Sequence, residues 1–220
     1  MNHGLVDIDA NSEKFVFSEV MLQDIAPAEY DNYFLAKCYF DVREYDRAAY
    51  MVRNAESAVP RFLYLYATYM GLEKRRLDST TDQSNLNDSG HVKDLADLLA
   101  TLKPSIQGRL DGYSMYLYGV VLKAVDLTQV AQEVLMQSIR SAPMLWGSYV
   151  ELAPLIKEKE KLQNIHLGGH WMKHFFVAHT YIEMYLNDEG IKAYEDLQTA
   201  GFGKCVYVTS QMAFGVSQQK

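Results

Sequence analysis

Only two cysteines, Cys38 and Cys205, stand in the 220 residues, and they lie far apart. That excludes a disulfide framework and points to the reduced thiols of a cytosolic or nuclear protein. No apolar run reaches the roughly 18 residues that a membrane-spanning helix needs. The polar, acidic start at Met1 to Asn11 is no signal peptide. Cations are short as well: Lys and Arg number 21 against 28 Asp and Glu, a net charge of −7. That balance argues against nucleic acid or an anionic membrane as the main partner. Chemistry-bearing motifs are also missing. There is no phosphate loop, no Gly-x-Ser-x-Gly elbow and no dinucleotide fingerprint, so no cofactor is expected. Asp7, Asp9 and Asn11 begin like a calcium loop, but Ser12 replaces the needed glycine and Ser18 the glutamate. His166, His170 and His174 are spaced by four with His179 beyond, yet Gly168-Gly169 breaks any shared helix, so they read as surface or packed histidines. Acid pairs such as Glu158 and Glu160 lie in a mixed-charge run. No acid, base and nucleophile come together, which makes an enzyme the weakest reading.

What is present is helical periodicity, and it repeats. Asn32, Leu35, Ala36, Tyr39, Ala48, Val52, Ala55 and Pro60 form one pattern; Met115, Tyr118, Gly119, Leu122, Ala131, Leu135, Ser138 and Pro143 form the same pattern 83 residues later. Small residues where two antiparallel helices cross, with large ones around them, are what close packing of a helical hairpin requires. Pro60 and Pro143 are expected to stop the second helix of each pair. The spacing resembles the 34-residue tetratricopeptide repeat. It implies an all-α solenoid of antiparallel hairpins, wound as a right-handed superhelix.

Following that register divides the chain. Residues 1–28 have little period and read as an arm, in part disordered. Residues 29–214 carry about five repeats. The second repeat opens at Leu63 with a first helix ending in Lys74-Arg75-Arg76, cations suited to a helix C-terminus. A Ser/Thr/Asn/Asp-rich loop over 78–90 follows, then a helix from about His91 to Leu102. Leu63 to Gly112 is 49 residues, one repeat plus an insertion of 15. Gly112 to Leu145 is the second clear hairpin. A shortened unit runs from Trp146 to His170. A fifth begins at Trp171, with its turn expected over Asn187 to Gly190. A last helix, about Lys204 to Phe214, has no mate, and 215–220 is a tail. A solenoid needs a capping element, so the chain is expected to be the N-terminal piece of a longer protein.

Five blocks carry a closer likeness. They are Tyr33 to Ala49, Phe62 to Arg75, Leu110 to Leu122, Trp171 to His179, and Gly201 to Ala213. In this order they resemble subunit eight of the anaphase-promoting complex, the cell division cycle protein twenty-three family, over about Tyr30 to Gly215. The first 28 residues, the 78–91 loop and the 155–169 segment depart from it. The resemblance implies a scaffold subunit of a large ubiquitin ligase that controls mitosis, nuclear and cytoplasmic. Its partners would be the other subunits of the complex, and its N-terminal repeats would serve homodimerisation.

The candidate site follows from the repeat register. The first helix of each repeat lines the concave face. Those positions hold Tyr30, Tyr33, Phe34 and Lys37, then Tyr113, Tyr116 and Leu117, then Met172, Phe175, Phe176 and His179. A contiguous apolar and aromatic surface of this kind marks an interface. The leading reading is a groove that grips a second copy of the chain with two-fold symmetry. The alternative is a monomeric adaptor that takes a partner peptide or helix in the same groove. Packing of some of these rings between repeats is the competing structural reading.

Overall fold

A computed structural model describes residues 25–81, 88–106 and 111–218. Residues 1–24 of the expected arm, 82–87 of the expected loop and 219–220 of the tail lie outside the described residues. Among the described residues every regular element is helical. In chain order they are α1 (Tyr30–Asp41), α2 (Tyr45–Val52), α3 (Ala58–Thr81), α4 (Asp88–Ile106), α5 (Gly112–Ala124), α6 (Thr128–Ser141), α7 (Trp146–Leu152), α8 (Lys159–Gln163), α9 (Met172–Glu183), α10 (Asn187–Leu197) and α11 (Val206–Ser217). The all-α, tetratricopeptide-type fold class stands. The chain divides into two compact units within α4, between Leu98 and Leu99.

In the first unit α1 packs on α2 and α2 on α3. Ala48 and Ala67, both fully buried, let the helices approach, and Tyr39, Phe40 and Tyr64 close around them. Three expectations change here. Pro60 does not end a helix. It sits buried in the first turn of α3, where the missing N–H costs nothing. α3 then runs 24 residues to Thr81, so the expected loop yields residues at both ends to helix. Lys74-Arg75-Arg76 therefore lies inside α3 rather than at its end. Lys74 Nζ donates to the Arg43 carbonyl (3.2 Å), Arg75 pairs with Asp46 (2.7 Å) and Arg76 with Glu73 (2.8 Å).

The first unit is also fastened at its entry. The Glu29 carboxylate accepts from the Glu56 N–H (2.7 Å) and the Ser57 N–H (3.2 Å), just ahead of α3. Those donors lie where a helix start leaves N–H groups without partners. They hold the Glu29 carboxyl below its ordinary value. A carboxyl lowered in this way adds stability above its unfolded pKa and loses it as pH falls through the folded one. Below a pH of about 4.5 the melting temperature of the first unit is therefore expected to fall more steeply in the wild type than in Glu29→Gln. Thermal melts across pH would show it, and parallel acid limbs would dismiss the role.

The second unit repeats the plan. α5 pairs with α6 across Gly119 and Ala131, and α9 pairs with α10 across Ala178 and Gly190. Ser138 and Ser148 are fully buried yet satisfied: the Ser138 hydroxyl donates to the Gly112 carbonyl (2.6 Å), and the two hydroxyls bond each other (2.7 Å). Pro143 does follow the end of α6. The shortened unit consists of seven-residue α7 and five-residue α8. The irregular stretch after α8 is held by the Arg140 guanidinium donating to the His166 carbonyl (2.9 and 3.1 Å) while Ile165 and Leu167 insert into the core. The last helix, α11, packs on α10.

Three hairpins share one turn. Arg43, Asp126 and Tyr185 sit at φ 62°, 63° and 59° in the middle of three-residue links. In each, the next residue's N–H reaches back across the helix end: Glu44 to the Tyr39 carbonyl, Leu127 to Leu122 and Leu186 to Tyr181, each 2.9 Å. This is the Schellman closure, with a non-glycine residue in the left-handed position. The turn expected over Asn187 to Gly190 is thus displaced to Met184–Leu186, and Asn187 begins α10. Asp188 and Glu189 then lie in the first turn of α10, where the helix dipole favours them. Tyr185 is 76% exposed, so its ring contributes little to set against its backbone strain. Tyr185→Gly is expected to raise stability by up to about 1 kcal/mol, since left-handed backbone costs an L-residue about 1–2 kcal/mol and glycine entropy returns part of it. A denaturant titration in which Tyr185→Gly loses stability would refute this account of the turn.

Candidate protein-interaction surface

In the first unit α1 buries only Ala36 fully. Its expected site residues remain at the surface to different degrees. Tyr30 and Tyr33 are half-buried, Phe34 is 49% exposed and Lys37 is exposed. The rings form a row: Tyr30 stacks on Phe34 with centroids 6.4 Å apart, and Tyr33 tilts against Phe34 at 5.5 Å. Burial pushes the Tyr33 hydroxyl pKa up. Next to this row, on the adjoining side of α1, Leu35, Cys38 and Val42 are also exposed.

In the second unit the expected set separates. Tyr113, Tyr116 and Met172 are half-buried, with Tyr116 and Met172 against the main core. Leu117, Phe175 and Phe176 are not groove residues: they are 0%, 7% and 0% exposed. Phe176 packs with Leu135, Ile139, Tyr149 and Leu152, and Phe175 with Ala178, Tyr194 and Val208. The register fixes the angle of a residue on its helix, and here neighbouring helices close over that angle. A charge at Phe175 would probe the core rather than an interface.

His179 has an aromatic setting. Its Nδ1 lies 3.3 Å from the Tyr207 hydroxyl and its ring 5.8 Å from Trp146. Burial lowers its pKa. The other histidines do not gather around it. His166 and His174 are exposed and His170 lies against Trp171, and no group of three metal-binding side chains occurs among the described residues.

Residues outside the expected set contribute. Trp171, 43% exposed, stacks on Phe202 with centroids 5.6 Å apart, and Phe175 meets Phe202 edge-on at 4.9 Å. Phe202 replaces the proline that the repeat pattern carries there, which was the available signal. Tyr207 on α11 meets Trp146 edge-on at 5.8 Å. The chemistry on offer at both units is apolar and aromatic contact rimmed by single polar groups, which suits a protein partner.

The profile of the family described as anaphase promoting complex subunit 8 / Cdc23 matches residues 9–213. The human cell division cycle protein 23 homolog is 42% identical over 186 residues, covering 83% of this chain and 31% of the relative. Anaphase-promoting complex subunit 8 of Arabidopsis thaliana is 37% identical, covering 83% of this chain and 32% of the relative. That of Dictyostelium discoideum is 26% identical, covering 87% and 40%. The chain thus spans about a third of the length of these curated relatives. With a helical-repeat fold throughout the described residues and a profile match across nearly its whole length, the chain belongs to the anaphase promoting complex subunit 8 / Cdc23 family.

Proposed function

We propose that the chain is a non-catalytic scaffold region of an anaphase-promoting complex, acting in mitotic cell-cycle control in nucleus and cytoplasm. Within that role it pairs with a second copy of itself and contacts neighbouring subunits. Family membership supports the complex. The observation that carries the pairing is the partly exposed ring row of Tyr30, Tyr33 and Phe34 beside the exposed Lys37 on α1. Aromatics of this kind anchor interfaces because they combine large area with few rotamers to freeze.

Sedimentation velocity tests it. The wild-type chain is expected to be dimeric at tens of micromolar. Tyr30→Ala with Lys37→Glu is expected to weaken the dimer at least tenfold, about 1.4 kcal/mol, with the helical circular dichroism unchanged. A wild type that stays monomeric would replace the pairing with the adaptor reading, in which the same rings take a partner's peptide.

A further inference from the structure

All 16 tyrosines of the chain lie among the described residues. Two are exposed, Tyr50 at 61% and Tyr185 at 76%; the others are half-buried or buried. Tyr50 is engaged. It lies inside α2, the Arg53 guanidinium sits 3.7 Å from its ring centroid, and Arg47 and Arg53 flank it in sequence. Tyr185 is the opposite case. It stands in the link between α9 and α10, and its side chain has no ring stack or hydrogen bond among the described residues. Its backbone is left-handed at φ 59°. Asp126, at the equivalent turn, is of a residue type that tolerates this conformation, whereas a bulky ring there is an outlier. Strain that gains nothing inside the fold is a sign that the side chain is used outside it.

The surroundings of the ring indicate which use. Glu183, Asp188 and Glu189 flank it, and no Lys or Arg occurs from Tyr181 to Glu189. A cleft of basic side chains would therefore accept this segment and reject the arginine-flanked Tyr50. The segment is also cheap to open, as a kinase requires of a substrate that it holds extended. Asn187 Oδ1 is buried without a hydrogen-bond partner among the described residues. Parting the link relieves the strain at Tyr185 and lets water reach Asn187 Oδ1. The tie that resists is Lys159 to Glu189 at 2.7 Å, with side chains 38% and 37% exposed, a weak surface pair. We infer that Tyr185 is a phosphorylation site, the substrate of a protein tyrosine kinase with a basic substrate cleft. Its hydroxyl oxygen attacks the γ-phosphorus of the nucleoside triphosphate that the kinase holds. The new O–P bond forms, the bond from that phosphorus to the bridging oxygen breaks, and the nucleoside diphosphate leaves. The kinase's catalytic carboxylate takes the hydroxyl proton. The product carries nearly two negative charges in solvent. It is read by a partner that presents an arginine cluster. This site lies in the second unit and stands apart from the pairing proposed for α1.

Time-resolved phosphorylation of the full chain tests it. The folded protein is incubated with magnesium ATP and a tyrosine kinase domain that prefers acidic substrates, and the modified tyrosines are mapped by peptide mass spectrometry. Tyr185 is expected to be modified about tenfold faster than Tyr50 or any half-buried tyrosine. Tyr185→Phe should remove most of the incorporated phosphate, with the helical circular dichroism unchanged. Glu183→Gln with Asp188→Asn should slow modification of Tyr185 roughly threefold, the size expected for two exposed charge pairs. Exposure alone would not produce that loss. Equal rates at Tyr50 and Tyr185, or a rate at Tyr185 indifferent to the two acids, overturn the inference. So does modification of Tyr185 only after the chain has been denatured, which would show that the link does not open. The same treatment of the assembled complex should also mark Tyr185. A free chain that accepts phosphate beside a complex that refuses it would give the ring to a subunit contact instead, and the inference would fall.

Discussion

Phe176→Ala is expected to destabilise the second unit by about 3–5 kcal/mol, the usual range for deleting a buried phenylalanine ring. The ring is fully buried, its centroid 5.5 Å from that of Tyr149, with Leu135, Ile139, Leu152, Ile156 and Leu162 in the same cluster. The void has little means of collapsing. Tyr149 is tethered by its hydroxyl, which donates to the Pro143 carbonyl at 3.0 Å. That ring is itself fully buried, which pushes its hydroxyl pKa up to about 12. Folded domains hold about 5–15 kcal/mol in all, so the loss is a large fraction. Both tryptophans of the chain, Trp146 and Trp171, lie in this unit. Urea titration followed by tryptophan fluorescence therefore reads the second unit directly. Met144→Ala, 56% exposed in the same unit, should stay within about 0.5 kcal/mol of wild type. Equal losses from the two variants would show that Phe176 is not the keystone of this cluster.

That ring also shows how far sequence reasoning reaches. The hairpins of α1–α2, α5–α6 and α9–α10 were legible because small residues at the crossings recur in register: Ala36 and Ala48, Gly119 and Ala131, Ala178 and Gly190. A period states the angle of a side chain on its helix. It does not state which neighbours occupy that angle. Phe34, Leu117 and Phe176 share one angle, and only Phe34 is left at the surface. Pro60 misleads for a related reason. Proline both ends helices and opens them, and the composition nearby does not say which. Asn187 to Gly190 has the makeup of a turn, but its acids also suit a helix start. The real turn employs a left-handed tyrosine that no composition rule selects. The Glu29 carboxylate, bonded to N–H groups 27 and 28 residues away, has no local signature at all.

Gly112→Ala is the second large effect, and it comes from backbone rather than from a void. A Cβ built on Gly112 would lie 2.4 Å from the Ala142 Cβ, 3.0 Å from the Ala142 nitrogen and 3.1 Å from the Ser138 carbonyl oxygen. None of these atoms can swing away as a long side chain can. The start of α5 and the end of α6 would have to part, and the Gly112 carbonyl accepts the buried Ser138 hydroxyl at 2.6 Å. Parting them strains that bond and its continuation to Ser148 at 2.7 Å. Overpacking of about 1–3 kcal/mol thus adds to a weakened buried hydrogen bond of about 1 kcal/mol. Gly190→Ala should cost less, because its nearest neighbours, 2.5 and 2.8 Å away, are the flexible end of Ile182. Gly169→Ala, with nothing within 4 Å, should be neutral within about 0.5 kcal/mol. Adding Ala142→Gly to Gly112→Ala removes the shortest contact and should recover part of the loss, a coupling that a double-mutant cycle measures. Simple additivity of the two changes would place the destabilisation elsewhere than at this crossing. The difference between Gly112→Ala and Gly190→Ala, with Gly169→Ala outside the helices as the baseline, then reads how closely each of the two helix pairs brings its backbones together.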